Sequence, residues 1–76
     1  MYLLIGGSGF LGRYLIKNIL NETADSIIAT DRTPQTSDNP RLHWEKCDIC
    51  DMADIERLNK ICAEEENLKV VFLAAY

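Results

Sequence analysis

Met1-Tyr2-Leu3-Leu4-Ile5 runs directly into Gly6-Gly7-Ser8-Gly9-Phe10-Leu11-Gly12, and that junction decides the fold. Residues 2–5 are short and wholly apolar, as suits the centre of a parallel sheet. Glycines at turn spacing follow, and then helical periodicity. Leu11, Leu15 and Ile19 recur every fourth position with Tyr14 and Ile16 beside them, while Arg13, Lys17 and Asn18 belong to the other side. The expected helix covers 9–20. A strand that leaves a glycine turn as a helix aims free backbone N–H groups at one point, which suits an anion.

The glycines have separate physical tasks. Gly6 and Gly9 give the three-residue spacing of a tight turn, and Gly7-x-Gly9-x-x-Gly12 is readable as well. One glycine permits positive φ. Another lets backbone approach a pyrophosphate, and Gly12 lets the helix pack close to the sheet. N–H groups from about Ser8 to Leu11, Phe10 included, then face the phosphates, and the Ser8 hydroxyl is a further donor. No Lys-Ser or Lys-Thr follows, so this is not an ATP-type loop. A glycine turn that merely joins strand to helix is the blander alternative. The flanking elements and the acid described next favour a dinucleotide.

Outward from the turn, Asn21 to Asp25 reads as a polar link and 26–30 as a second strand ending at Asp31. Asp31 falls about 20 residues beyond the glycine turn, where a carboxylate accepts from the adenosine ribose hydroxyls. A 2′-phosphate would meet like charge there, so NAD is favoured over NADP, although Arg32 offers partial accommodation for a phosphate. Thr33 to Pro40 holds two prolines and no bulky apolar residue, and reads as a surface loop. Residues 41–46 alternate as a short third strand, with Leu42 and Trp44 on the better-buried face. Asp51 suits the cap of a second helix, with Asp54 adding negative charge in its first turn. Ile55, Leu58, Ile61 and Cys62 make its apolar stripe, and Glu64 to Glu66 are expected in solvent. Residues 68–73 read as a fourth strand.

The order β-α-β-β-α-β with right-handed crossovers predicts an α/β fold with parallel strands ordered 3-2-1-4, the N-terminal part of a Rossmann fold. Strand four would then be an exposed apolar edge, so the chain reads as truncated, its edge to be covered by further chain or a self-partner. At the exit of strand three, Asp48 can accept from an adenine amino group, and the Ile49 amide can donate to a ring nitrogen while its side chain covers one face. A turn-capping Asp48 and a core Ile49 are the alternative. Ala74 and Ala75 are small enough to let backbone approach the middle of the dinucleotide. Tyr76 has no neighbouring cation to lower its pKa and is not assigned a catalytic role.

Composition limits the remaining classes. With 76 residues the chain is at most one domain, and it buries only about 60–65% of its extended surface on folding. Twelve acids against eight Lys and Arg leave a charge of −4, which gives no electrostatic footprint for nucleic acid. No apolar run reaches the ~18 residues of a membrane span. Three cysteines suit a reducing cytoplasm better than a disulfide framework. The Cys47-x-x-Cys50 spacing resembles a redox or zinc pair. Asp51 is the better helix cap, however, and His43 supplies at most a third ligand, so free thiols and no metal are expected.

These pieces together resemble the extended short-chain dehydrogenases/reductases, the NAD-dependent epimerase/dehydratase family. The likeness rests on Ile5 to Gly12, Asp31-Arg32, Cys47-Asp48-Ile49-Cys50-Asp51, and Val70 to Tyr76, in order and at proper spacing. The family usually shows Gly-x-x-Gly-Phe-Ile/Leu-Gly, an acid after strand two, Asp-Ile or Asp-Leu after strand three and His-Leu-Ala-Ala at strand four. Phe72 stands where that His often lies. The resemblance implies NAD bound by Gly6, Gly9, Phe10, Leu11, Gly12, Asp31, Arg32, Asp48, Ile49, Ala74 and Ala75. It also implies hydride chemistry on a nucleotide-linked sugar by a Ser or Thr and a Tyr-x-x-x-Lys pair beyond the matched region. No Tyr-x-x-x-Lys occurs in these 76 residues. The expectation is thus a partial NAD-binding domain over 1–76, without its substrate domain and inactive alone. Alternatives are a non-enzymatic NAD(P)-binding or sensor module, or a family reductase acting on a non-sugar carbonyl.

Overall fold

The computed structural model describes residues 1–33 and 35–73. The chain orders as β1 (Tyr2–Ile5), α1 (Phe10–Glu22), β2 (Ile27–Asp31), β3 (Leu42–Lys46), α2 (Met52–Cys62) and β4 (Lys69–Phe72). The four strands form one sheet in the order β3-β2-β1-β4, and all three pairings are parallel. Leu4 pairs with Ala29 on one side and Val71 on the other, so β1 is central, and Leu4 is fully buried.

Each helix covers a different face of the sheet. Ile16 and Ile19 of α1 pack on Leu4, Ile27 and Ala29, with Leu42 and Trp44 of β3 against the same cluster. Leu58 of α2 packs on Leu3, Ile28 and Cys47. Alternate residues of a strand point to opposite faces, so β1 divides its four apolar side chains between two cores. Right-handed crossovers in opposite directions require this arrangement. On the α2 face, Val70 and Phe72 of β4 remain more than half exposed.

α1 begins one residue later and ends two residues later than the periodicity predicts. Its polar end is closed from outside the helix. The Thr23 hydroxyl and amide both donate to the Ile19 carbonyl, at 2.8 and 3.0 Å. The Arg41 guanidinium, entering β3, donates to the carbonyls of Leu20 (2.6 Å) and Thr23 (2.7 Å). No basic residue lies in the helix's own last turn. Arg41 therefore supplies the positive charge and the donors that such an end lacks. In α2, Asp51 caps as expected and accepts from the Ala53 amide at 2.9 Å. Its predicted stripe is narrower in the structure: Leu58 is buried and Ile55 and Cys62 are half-buried, whereas Ile61 is exposed. Asp54, one turn before Leu58, takes the other buried position of α2.

A candidate dinucleotide site at the strand ends

The glycine turn is pinned to the sheet. The amides of Gly6 and Gly7 both donate to the Thr30 carbonyl, at 3.0 and 2.9 Å. The buried Thr30 hydroxyl donates back to the Leu4 carbonyl at 3.1 Å. Gly6 has φ of 84°, the one positive φ among the described residues, and any other L-residue would be strained there. Gly12 packs on Gly7 so closely that a Cβ would lie 2.7 Å from Gly7 Cα and closer still to its carbonyl. Gly9 differs from both. It is the extended N-cap of α1, and a Cβ built on it would meet nothing within 4 Å.

That open space belongs to a groove of about 500 Å³ at the C-terminal edge of the sheet. Every strand contributes to it at or just past its end: Ile5 from β1, Asp31 from β2, Cys47 after β3 and Leu73 after β4. Gly6, Ser8, Gly9, Arg32, Asp48, Ile49 and Cys50 complete the lining. The groove lies where the chain order reverses between β1 and β4, the place at which open α/β sheets hold ligands. The first turn of α1 opens beside it. Its N–H groups have no earlier intrahelical acceptor, the first such bond running from the Arg13 amide to the Gly9 carbonyl. No acidic residue stands in that turn to neutralise its positive end.

Asp31 stands beside the glycine turn on the same groove. Its Oδ2 accepts from both the amide (3.2 Å) and the hydroxyl of Ser8, and its Oδ1 accepts from the Arg32 amide at 2.8 Å. Burial by itself would raise this carboxyl. The Ser8 bonds, the Arg32 amide and the Arg32 charge together outweigh burial and hold it below its ordinary value. Asp31 is thus kept anionic and oriented. The Ser8 hydroxyl, read from sequence as a phosphate donor, is engaged with Asp31 instead.

On the other wall, Asp48 Oδ1 accepts from the Cys50 amide at 2.9 Å, so this residue caps a turn while lining the groove. Ile49 is half-buried beside it. Of the cysteines, Cys47 is buried and Cys50 exposed, and all three are free. Burial, and next the Asp54 charge, push the Cys47 thiol up; burial and then Glu65 do the same for Cys62. Both are therefore protonated and weakly nucleophilic at neutral pH. Among the described residues no group of His, Cys, Asp and Glu is placed to hold a metal ion, and no helix is long and apolar enough to cross a membrane.

The structure thus brings Gly6, Gly9, Asp31, Arg32, Asp48 and Ile49 to one groove. Phe10 and Leu11 begin α1 with exposed side chains and do not line the groove, and Gly12 is buried against Gly7. Ala74, Ala75 and Tyr76 lie outside the described residues. Sequence reasoning missed Ile5, Cys47, Cys50 and Leu73 as lining. Their positions at strand ends were the available signal.

A parallel sheet of this order, with a glycine turn and groove at its reversal point, defines the nucleotide-binding α/β class. The profile of the NAD dependent epimerase/dehydratase family matches residues 2–76, and the chain belongs to that family. Among curated relatives, the dTDP-glucose 4,6-dehydratase of Haemophilus influenzae is 40% identical over 65 residues, covering 74% of this chain and 19% of that protein. The Shigella flexneri dTDP-glucose 4,6-dehydratase is 33% identical over 82 aligned positions, covering 96% of this chain and 22% of the relative. The Neisseria meningitidis protein of the same name is 32% identical over 65 residues, covering 74% and 18%. The chain spans about a fifth of the length of the curated relatives it matches.

Proposed function

We propose that this chain holds NAD across the C-terminal edge of its sheet, as the N-terminal cofactor-binding segment of an NAD-dependent epimerase or dehydratase acting on a nucleotide-linked sugar. The residues present fit the group. The open Gly9 cap and the acid-free first turn of α1 suit a pyrophosphate, contributed to by the Gly6 turn and the amides of Phe10, Leu11 and Gly12. Asp31 takes the adenosine ribose hydroxyls, with Arg32 at its side. Asp48 accepts from the adenine amino group, and Ile49 covers the ring. Ala74 and Ala75 keep the role the family resemblance implies for them. The substrate class follows the names of the three relatives above, all dTDP-glucose 4,6-dehydratases.

Bound NAD supplies a hydride acceptor and donor. The residues of this chain bind and orient it, and the 76 residues have no turnover by themselves. The three free thiols fit a reducing compartment, and a cytoplasmic location belongs to this reading.

The observation that carries the proposal is the Asp31 carboxylate, held anionic at the end of β2 on the same groove as the glycine cap. It favours NAD over NADP, because a 2′-phosphate would be brought against a fixed negative charge. The test is titration of wild type and Asp31→Ala with each dinucleotide. Loss of a charge-assisted hydrogen bond predicts NAD binding weakened by about tenfold or more, with a narrowed preference over NADP. Unchanged NAD affinity would refute the ribose role.

A further inference from the structure

The adenine-side wall of the groove is held by two side chains that do not line it. Asp54, in the first turn of α2, is buried to 8% exposure. Its Oδ2 accepts from the Asp48 amide at 2.9 Å, and its Oδ1 lies 3.6 Å from the Arg57 guanidinium. Arg57 in turn donates to the Lys46 carbonyl. The end of β3 is therefore tied to α2 at two backbone points, Lys46 and Asp48. An acid serving only the helix dipole has no reason to be buried, since desolvating a carboxylate is costly unless it is paired and hydrogen-bonded. Asp54 has both kinds of partner, and one is the backbone of a groove residue.

The consequence falls on Asp48. Its amide is fixed by Asp54 and its Oδ1 by the Cys50 amide, which leaves Oδ2 as the oxygen offered to the groove. We propose that Asp54, braced by Arg57, is a positioning residue that sets base selectivity at the adenine end of the groove. The assignment rests on the NAD reading above and extends it to residues outside the groove. An oriented carboxylate oxygen accepts from the 6-amino group of adenine and repels the 6-oxo group of hypoxanthine. A carboxylate free to turn makes that distinction poorly.

The test compares NAD with nicotinamide hypoxanthine dinucleotide, which differs only at the base, on wild type, Asp54→Ala, Asp54→Asn and Arg57→Ala. Wild type is expected to prefer NAD by about tenfold, the value of one hydrogen bond to a charged acceptor. Asp54→Ala should bring the ratio to about twofold or less, chiefly by weakening NAD. Asp54→Asn, which keeps an oxygen for the Asp48 amide, should recover most of it, and Arg57→Ala should fall between. A loss of general stability would weaken both dinucleotides alike and leave the ratio standing. If Asp54→Ala does not fold, as judged by circular dichroism, Arg57→Ala decides. An unchanged ratio in the folded variants, with wild type discriminating, overturns the role of Asp54 alone. NAD binding without base preference in wild type removes the Asp48 contact and this assignment with it. No binding of either dinucleotide removes the NAD reading itself.

Discussion

Residues 5–12 shape one wall of the groove chiefly with backbone, Ser8 alone adding a polar side chain, whereas residues 46–54 shape the facing wall with side chains. In the first wall a positive φ at Gly6, paired amides on the Thr30 carbonyl and the Gly12–Gly7 contact leave no room for alternatives. In the second, Asp48, Asp51 and Asp54 each accept a nearby amide, and Arg57 ties α2 back to β3. The backbone wall suits a pyrophosphate, which needs close approach and many N–H groups. The side-chain wall suits a base, whose edge is read by specific donors and acceptors. The two walls should therefore fail differently when substituted.

The largest effect is expected at Gly12. Gly12→Ala drives a methyl into the Gly7 backbone, which has no flexible end to yield, and should cost about 3 kcal/mol in urea unfolding. A loss below about 1 kcal/mol would mean that α1 can slide on the turn, and the contrast between the walls would weaken. Gly6→Ala comes next, at about 1–2 kcal/mol, the cost of holding an L-residue at positive φ. On the other wall, Asp51→Ala should remove about 1 kcal/mol by uncapping α2, measured in the same way. A side-chain substitution there that proved as damaging as Gly12→Ala would erase the distinction.

The smallest effect is a pH dependence at Asp31, where the walls meet. Its folded carboxyl titrates below its ordinary value, so folding favours the anionic form. The stability this contributes is fully present above about pH 4 and is lost as pH falls through the lower folded value. Wild type and Asp31→Asn should therefore differ at pH 6 and converge in strong acid. A difference that grew on acidification would reverse the sign and contradict the Ser8 and Arg32 contacts.

The same contrast explains what could be read before the structure. Alternating and period-four patterns in Leu15, Ile19, Leu42 and Trp44 report burial, and burial fixes elements and faces; the same pattern misplaces Leu11 and Tyr14, which are exposed because α1 turns Gly12, Ile16 and Ile19 to the sheet. Strand order followed from the handedness of two crossovers. Glycines report backbone conformation, so the turn was legible residue by residue. Contacts between distant polar side chains and backbone leave no periodic trace. Arg41 closing α1 from the start of β3 was invisible for that reason, and so was Asp54 as more than a helix-end charge. The contact of the Ser8 hydroxyl with Asp31 was likewise invisible, because their proximity exists only once β1 and β2 are paired. The extra two residues of α1 depend on Thr23 and Arg41, not on propensity.

Whether the groove at the strand ends receives the dinucleotide on both its walls is read most directly by titrating the isotopically labelled chain with NAD, followed through backbone amide resonances. The molecule carries its own control, a smaller groove of about 290 Å³ whose lining includes Arg13, Lys17, Gln35 and Trp44. Saturable shifts are expected at Gly9, Phe10, Leu11, Asp31, Asp48 and Ile49, with Gln35 to Ser37 unmoved. Shifts confined to the control groove, or none on either wall at millimolar NAD, would contradict the NAD reading.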